Sequence, residues 1–428
     1  MTTSGLLFKD STARISFNRE EFNIAMDRFY IDFVPICTQS SKIFSSPKFE
    51  DFRELVKKAN QWLTENDHYA VDQCETFGVT RDSKVDIGTA VNSQSTKFNV
   101  NEISHSGYVK YDLDIVYCLR LYVRFKTNNE PMDSNHISYI NAIPEMITSG
   151  CCTEPKFESF NKTMQNFNES LKDSFFPGKI LNMENISIPR DGHHYNEDRT
   201  GFQEDNSSTE HKLSILRVYF LQQGQSSRES IGCKDFIPSI TKVGGCCSSN
   251  DYETDEVVLV KVRNWVKSQT GIRITNIQTI NVDDRGALKT GASQKCEYIK
   301  SKYALTPHFR IIRVFYASEP GSCTYKPINL TWRNFTPAIT VNKPTNSDEY
   351  ETFDLLYKRE ILPFINYNSN AKVINFEIIP IFPPTKYVTL ISSVRIYFHG
   401  TIQEPPAIVL GNVQHPKEVE TSKNCNIL

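Results

Sequence analysis

Two long stretches of the chain space their apolar residues at helical intervals. Phe49, Phe52, Leu55, Val56, Ala59, Trp62 and Leu63 form one stripe, and Phe157, Phe160, Met164, Phe167 and Leu171 form another. Steps of three and four place each set on one face of a helix, which must cover a sheet. Ser46 before Pro47 suits an N-cap with proline at the first helical position. Asn250-x-x-Glu253 has capping-box spacing and predicts a third helix, in which Trp265 follows Tyr252 as Trp62 follows Phe49. Pro363 predicts an early end or a kink in a fourth.

After each helix the period changes to two. Val71-x-Gln73-x-Glu75-x-Phe77-x-Val79, Ile180-x-Asn182-x-Glu184-x-Ile186-x-Ile188, Ile274-x-Asn276-x-Gln278-x-Ile280-x-Val282 and Val373-x-Asn375-x-Glu377-x-Ile379-x-Ile381 share one alternation, that of a strand with an apolar face. Further on come Leu119-Arg120-Leu121-Tyr122, Leu216-Arg217-Val218-Tyr219, Ile312-Arg313-Val314-Phe315 and Val394-Arg395-Ile396-Tyr397, read as a second set of strands. Ahead of each helix an aromatic-Glu pair (Phe49-Glu50, Phe157-Glu158, Tyr252-Glu253, Tyr350-Glu351) stands 13 or 14 residues after a proline. Those prolines are Pro35, Pro144, Pro238 and Pro337, and three of them close a similar tetrapeptide: Asp32-Phe33-Val34-Pro35, Asp235-Phe236-Ile237-Pro238 and Asn334-Phe335-Thr336-Pro337.

Markers recurring in one order four times predict an α+β protein of four tandem β-α-β-β repeats, with antiparallel sheets and helices on one face. The boundaries are 30–127, 138–222, 231–318 and 331–399, with an N-terminal segment 1–29 and a flexible tail 400–428. One such unit is thin, so pseudo-twofold pairing of units is expected. The connector before the Arg strand varies most, from Thr80–Asp114 in the first unit to Phe382–Leu390 in the last.

The candidate chemistry lies on the strands. An amide and then Glu or Gln interrupt the apolar face each time: Gln73/Glu75, Asn182/Glu184, Asn276/Gln278 and Asn375/Glu377. A buried carboxylate needs an answering charge, and the neighbouring strand offers Arg120, Arg217, Arg313 and Arg395. Such pairs fix register between strands or units. The alternative is a small polar ligand site repeated four times, with Gln278 making the third different; a bulge would instead turn the pair to solvent. His193-His194 reads as a solvated loop, and Cys151-Cys152 and Cys246-Cys247 as buried thiols, because closed zinc sites space their cysteines. No P-loop, G-x-G-x-x-G, G-x-S-x-G or H-E-x-x-H occurs in the 428 residues, so no catalytic residue, metal site or cofactor is assigned.

Composition narrows the partners. Lys+Arg number 48 against 50 Asp+Glu, a net charge of -2, and the basic residues are scattered, which argues against nucleic acid. Eleven cysteines, an odd number with two vicinal pairs, and the lack of a signal-peptide core or a long apolar run predict a cytoplasmic protein; the Asn-x-Ser/Thr sequons are then chance. Cys425-Asn426-Ile427-Leu428 fits the C-a-a-X prenylation pattern, with Leu428 pointing to geranylgeranyl on Cys425 and hence to the cytosolic leaflet of a membrane. The expected function is that of a non-enzymatic interaction or scaffold protein with a protein partner, its unequal connectors serving as recognition loops.

Overall fold

In the computed structural model the first apolar stripe forms α1 (Phe52–Glu65), which buries Phe52, Leu55, Val56, Ala59, Trp62 and Leu63. The structure describes residues 13–14, 28–39, 47–82, 104–106, 113–127, 136–150, 153–171, 176–191, 194–204, 210–243, 251–283, 292–300, 308–318, 327–341, 349–381, 389–406 and 409. Two more helices follow, α2 (Phe160–Ser170) and α3 (Asp255–Ser268). Each begins after the aromatic-Glu pair, which corrects the expected starts at Pro47 and Asn250. The aromatic residue belongs to a short hairpin, as in the pairing of Lys48–Phe49 with Cys37–Gln39. The glutamate is already committed: the Glu253 carboxylate accepts the Ser239 N–H at 2.7 Å and pairs with Lys261, as Glu50 does with the Ile36 N–H and Lys58.

The fourth helix runs α4 (Phe353–Leu356), a π-helical turn (Tyr357–Ile361) and α5 (Leu362–Tyr367). Pro363 therefore does not end it. The wider π turn lets the Leu362 N–H reach the Tyr357 carbonyl, and the proline, which has no N–H to offer, falls in the opening turn of α5.

The protein is α+β, built mainly of antiparallel strands. The first sheet contains β1 (Arg28–Phe33), β2 (Tyr69–Asp82) and β3 (Leu113–Phe125), with β3 central. The second has β4 (Ile137–Ala142), β5 (Phe176–Asp191) and, after β6 (Gly201–Glu204), the central β7 (Glu210–Ser227). The third has β8 (Ser230–Phe236), β9 (Ile272–Asp283) and, after β10 (Glu297–Lys300), the central β11 (His308–Ser318). In the fourth, β14 (Thr389–His399) lies between β12 (Leu330–Phe335) and β13 (Lys372–Ile381).

Every strand that follows a helix carries a register shift at the equivalent place: Val71/Gln73, Ile180/Asn182, Ile274/Asn276 and Val373/Asn375. One extra residue reverses the alternation. Val71 therefore packs in the helix-side core with Leu119 and Leu121, while Gln73 and Glu75 share the opposite face with Arg120.

The chain divides into two compact units, residues 1–100 with 111–330, and residues 101–110 with 331–428. Within the first unit the cores run into one another. Ile137 and Tyr219 of the second segment join the α1 core, and Ile231, Phe315 and Ala317 of the third join the α2 core. Burying each of the isoleucines and Phe315 contributes roughly 1.5–3 kcal/mol. Connector strands also cross over: β6 pairs with Leu113–Val116 of β3, and β10 pairs with Glu210–Leu213 of β7. In the second unit Ser104–Ser106 pairs with Thr389–Ile391 of β14. The first connector is thus shorter than expected, since Thr80–Asp82 extend β2 and Leu113 opens β3; its residues 83–103 and 107–112 lie outside the described residues.

Candidate functional site

The polar face of each sheet carries a row of three side chains, one per strand. The register aligns Asp32, Arg120 and Glu75 in the first sheet, Asn141, Arg217 and Glu184 in the second, and Asp235, Arg313 and Gln278 in the third. In the fourth, Glu377 opposes Arg395, which bonds Asn334. Where the outer strand of the second, third or fourth row offers an amide, the other offers a carboxylate, so each of these arginines has one acid in its row. The first row has two.

Each arginine stands opposite its Glu or Gln and also bonds the first strand of its sheet. Arg120 forks onto Asp32 through Nε and Nη2 at 2.6 and 2.7 Å, and Arg313 onto Asp235 at 2.7 and 3.0 Å. Arg217 and Arg395 donate through Nε to Asn141 and Asn334 at 2.9 and 2.7 Å. A fork matches the carboxylate geometry of the first strand, which lies beside the central one. The tetrapeptides that end at Pro35, Pro238 and Pro337 therefore supply the partner of the arginine, and Asn141, three residues before Pro144, does so in the second row.

Arg217 and Arg313 also reach into the preceding segment. Arg217 donates to Thr76 Oγ1 (3.3 Å) and its guanidinium lies 3.8 Å from the Phe52 ring centre, both in the first segment, while its third nitrogen goes to the Glu197 carbonyl of its own segment (2.9 Å). Arg313 repeats this with the Ser293 carbonyl (2.7 Å), Asn185 Oδ1 (3.4 Å) and the Phe160 ring (4.1 Å).

The amide and acid pairs close the same junctions. Asn182 accepts the Cys74 N–H through Oδ1 (3.1 Å) and donates through Nδ2 to the Cys74 carbonyl (2.7 Å). Glu184 accepts the Thr76 N–H on both oxygens at 3.1 Å. One segment later, Asn276 donates to the Met183 carbonyl (2.6 Å), while Gln278 accepts the Asn185 N–H (2.9 Å) and donates to its carbonyl (3.2 Å). The atoms gripped lie along the side of β2 or β5 turned away from its central strand, so the side-chain amide acts as a ladder partner for a sheet edge. The bulge delivers the pair to that edge. Asn182, Glu184 and Asn276 are buried and Gln278 is half-buried, so the bulge does not turn the pair to solvent. Junctions of this kind join the first segment to the second and the second to the third.

Gln73 and Glu75 are buried in the first row, where the Tyr122 hydroxyl donates to Glu75 at 2.8 Å. Asn375 and Glu377 are buried likewise, with the Tyr397 hydroxyl donating to Glu377 at 3.0 Å. Burial sets the electrostatics of the second row. Loss of water and then the neighbouring Glu75 push the Glu184 carboxyl up to about 8, against the Thr76 hydrogen bonds and Arg217. Burial also raises the Cys74 and Cys118 thiols well above their ordinary value, which leaves them poor nucleophiles.

Two further contacts carry no motif that the sequence reading used. Asn60 on α1 accepts the Ile137 N–H (2.8 Å) and donates to its carbonyl (2.9 Å), holding the outer edge of β4. Asn168 on α2 does the same to Ile231 of β8 at 2.9 and 2.8 Å. Each lies eleven residues after its aromatic-Glu aromatic, and that shared spacing was the available signal. Beside Asn60 an open groove of roughly 420 Å³ is lined by Arg53, Lys57, Tyr139, Asn141 and Asp198; Asp198 engages Arg53 (3.0 Å) and Tyr139 (2.6 Å).

His194 is exposed on a short strand paired with the end of β5, and His193 lies outside the described residues, as do both vicinal cysteine pairs and Cys425. Among the described residues no three His, Cys, Asp or Glu side chains are grouped to hold a metal ion, and no helix is long and apolar enough to cross a membrane. No protein-family profile, curated protein or solved structure matches the chain.

Proposed function

We propose that this chain is a non-enzymatic interaction scaffold of four α+β repeats, joined in series by the amide, acid and arginine sets. One observation carries the reading: the amide and acid side chains of the second and third segments spend their polar atoms on the backbone of the segment before. Asn182, Glu184, Asn276 and Gln278 grip strand edges, and Arg217 and Arg313 each add one bond across the same joint, to Thr76 Oγ1 and Asn185 Oδ1. A binding pocket needs polar groups that await a ligand. With these groups committed, recognition falls to the surface, where the connectors differ most in length. The same reading places a geranylgeranyl group on Cys425 as a tether to the cytosolic leaflet.

A thermal-shift screen of the purified chain against a panel of small polar metabolites tests it. No compound is expected to raise the melting temperature, while Asn276→Ala lowers it. A compound that stabilises the parent but neither Asn276→Ala nor Arg313→Lys would establish the ligand-site alternative. For the tether, intact mass of the protein from its native source should show loss of Asn426–Leu428 and addition of a methylated geranylgeranyl thioether. An unmodified terminus removes it.

A further inference from the structure

The two junctions of the first unit differ at one position. Gln278 bridges both backbone groups of Asn185, its oxygen receiving the N–H and its nitrogen giving to the carbonyl. Glu184 occupies the corresponding place against Thr76, with both oxygens on the N–H. The Thr76 carbonyl projects from the same side of β2 as its N–H, because both groups of a residue in an antiparallel strand face one way. An ionised carboxylate has nothing to give that carbonyl. A protonated one has an O–H in the place of the amide nitrogen of Gln278.

We propose that the joint between the first and second segments is proton-linked: Glu184 bridges Thr76 as a neutral acid, and surrendering its proton to solvent removes the donor and loosens the joint. Burial and Glu75 favour the neutral acid, against the Thr76 hydrogen bonds and Arg217. Glu75 and Cys74 face it from β2, and Arg217 and Tyr219 from β7. The arginine, which would favour the anion, has its three nitrogens on Asn141, Thr76 and the Glu197 carbonyl. The Tyr219 hydroxyl is tied to Thr76 Oγ1 at 2.5 Å. Glu184 is 4 % exposed, and burial together with Glu75 holds its carboxyl at about 8 against an ordinary 4.5. A carboxyl whose folded value is raised contributes no penalty below the unfolded value, and the fold loses stability as the pH climbs from about 4.5 to about 8.

The test compares melting temperatures of the full chain and Glu184→Gln from pH 5 to 9, so that groups common to both cancel. The two should coincide near pH 5, and the variant should become the more stable by several degrees as the pH approaches 8, with no further gap above it. Gln278→Glu should import a similar loss into the second joint. In infrared spectra, a protonated-carboxyl band present at pH 7 should fade above pH 8 and be missing from Glu184→Gln. A Glu184→Gln protein less stable than its parent throughout the range, or a parent without that band at pH 7, overturns the proposal.

Discussion

A single asparagine amide replaces a whole strand as partner to a sheet edge. Asn182 presents a donor and an acceptor in one plane, the same pair that a backbone residue presents, and meets the Cys74 N–H and carbonyl together. Asn182→Ala would strand both groups in a dry interior, at about 1–3 kcal/mol for each unsatisfied group. Equilibrium denaturant unfolding should show that loss, and hydrogen exchange at the Cys74 amide should quicken without a matching change at Asn185 in the next joint. Asn182→Asp should do nearly as badly once its carboxyl ionises, because a carboxylate cannot donate to the carbonyl. The sequence exposes these residues as polar intruders on a period-two face and identifies the arginines beside them. It does not reveal their targets, because one bulged residue moves the pair to the other face and a period count has no means of registering it.

Elements are fixed by contacts that cross segment boundaries. α1 owes its first turn partly to the second segment: the Phe52 N–H donates to the Asp198 carbonyl at 2.7 Å, and Asn60 holds the edge of β4. Asn60→Ala should cost about 1–3 kcal/mol and speed exchange at the Ile137 amide, while an exposed neighbour such as Gln61→Ala should change little. β6 lies so close to the first hairpin that a Cβ on Gly201 would stand 2.1 Å from Phe49 Cδ2. Gly201→Ala should therefore destabilise by about 1–3 kcal/mol through overpacking, measured as a lower melting temperature. Helix faces were legible from apolar spacing alone, and α1 buries Phe52 through Leu63 as that spacing requires. Helix starts were not, because Pro47 leads into a hairpin strand and Glu253, the capping-box residue, is drawn backward to the Ser239 N–H. Pro363 does not end the fourth helix but follows a π turn, whose hydrogen-bond geometry leaves no mark in spacing.

At the scale of the molecule, three segments of the first unit are joined by the same contacts in the same direction. Serial joints of this kind make neighbouring segments share their cores, so damage at one joint is felt as lost packing on both sides of it. The recurrence of markers along the chain was legible because each marker has a local duty: the proline and glutamate close a hairpin, and the arginine holds the first strand. Order and direction were not legible, since the bonds that set them join residues 93 and 108 positions apart with no complementary pattern between them. The grip of Asn182 on Cys74 and of Asn276 on Met183 has a last consequence. The reader is a specified amide, but what it reads is bare peptide, and the two gripped residues are a thiol and a thioether with nothing in common. A joint of this kind recognises the shape of an extended chain and not its spelling. Covalent connection alone then decides which neighbour is held, and a molecule nicked between its first and second segments should accept the first segment of another molecule in exchange for its own.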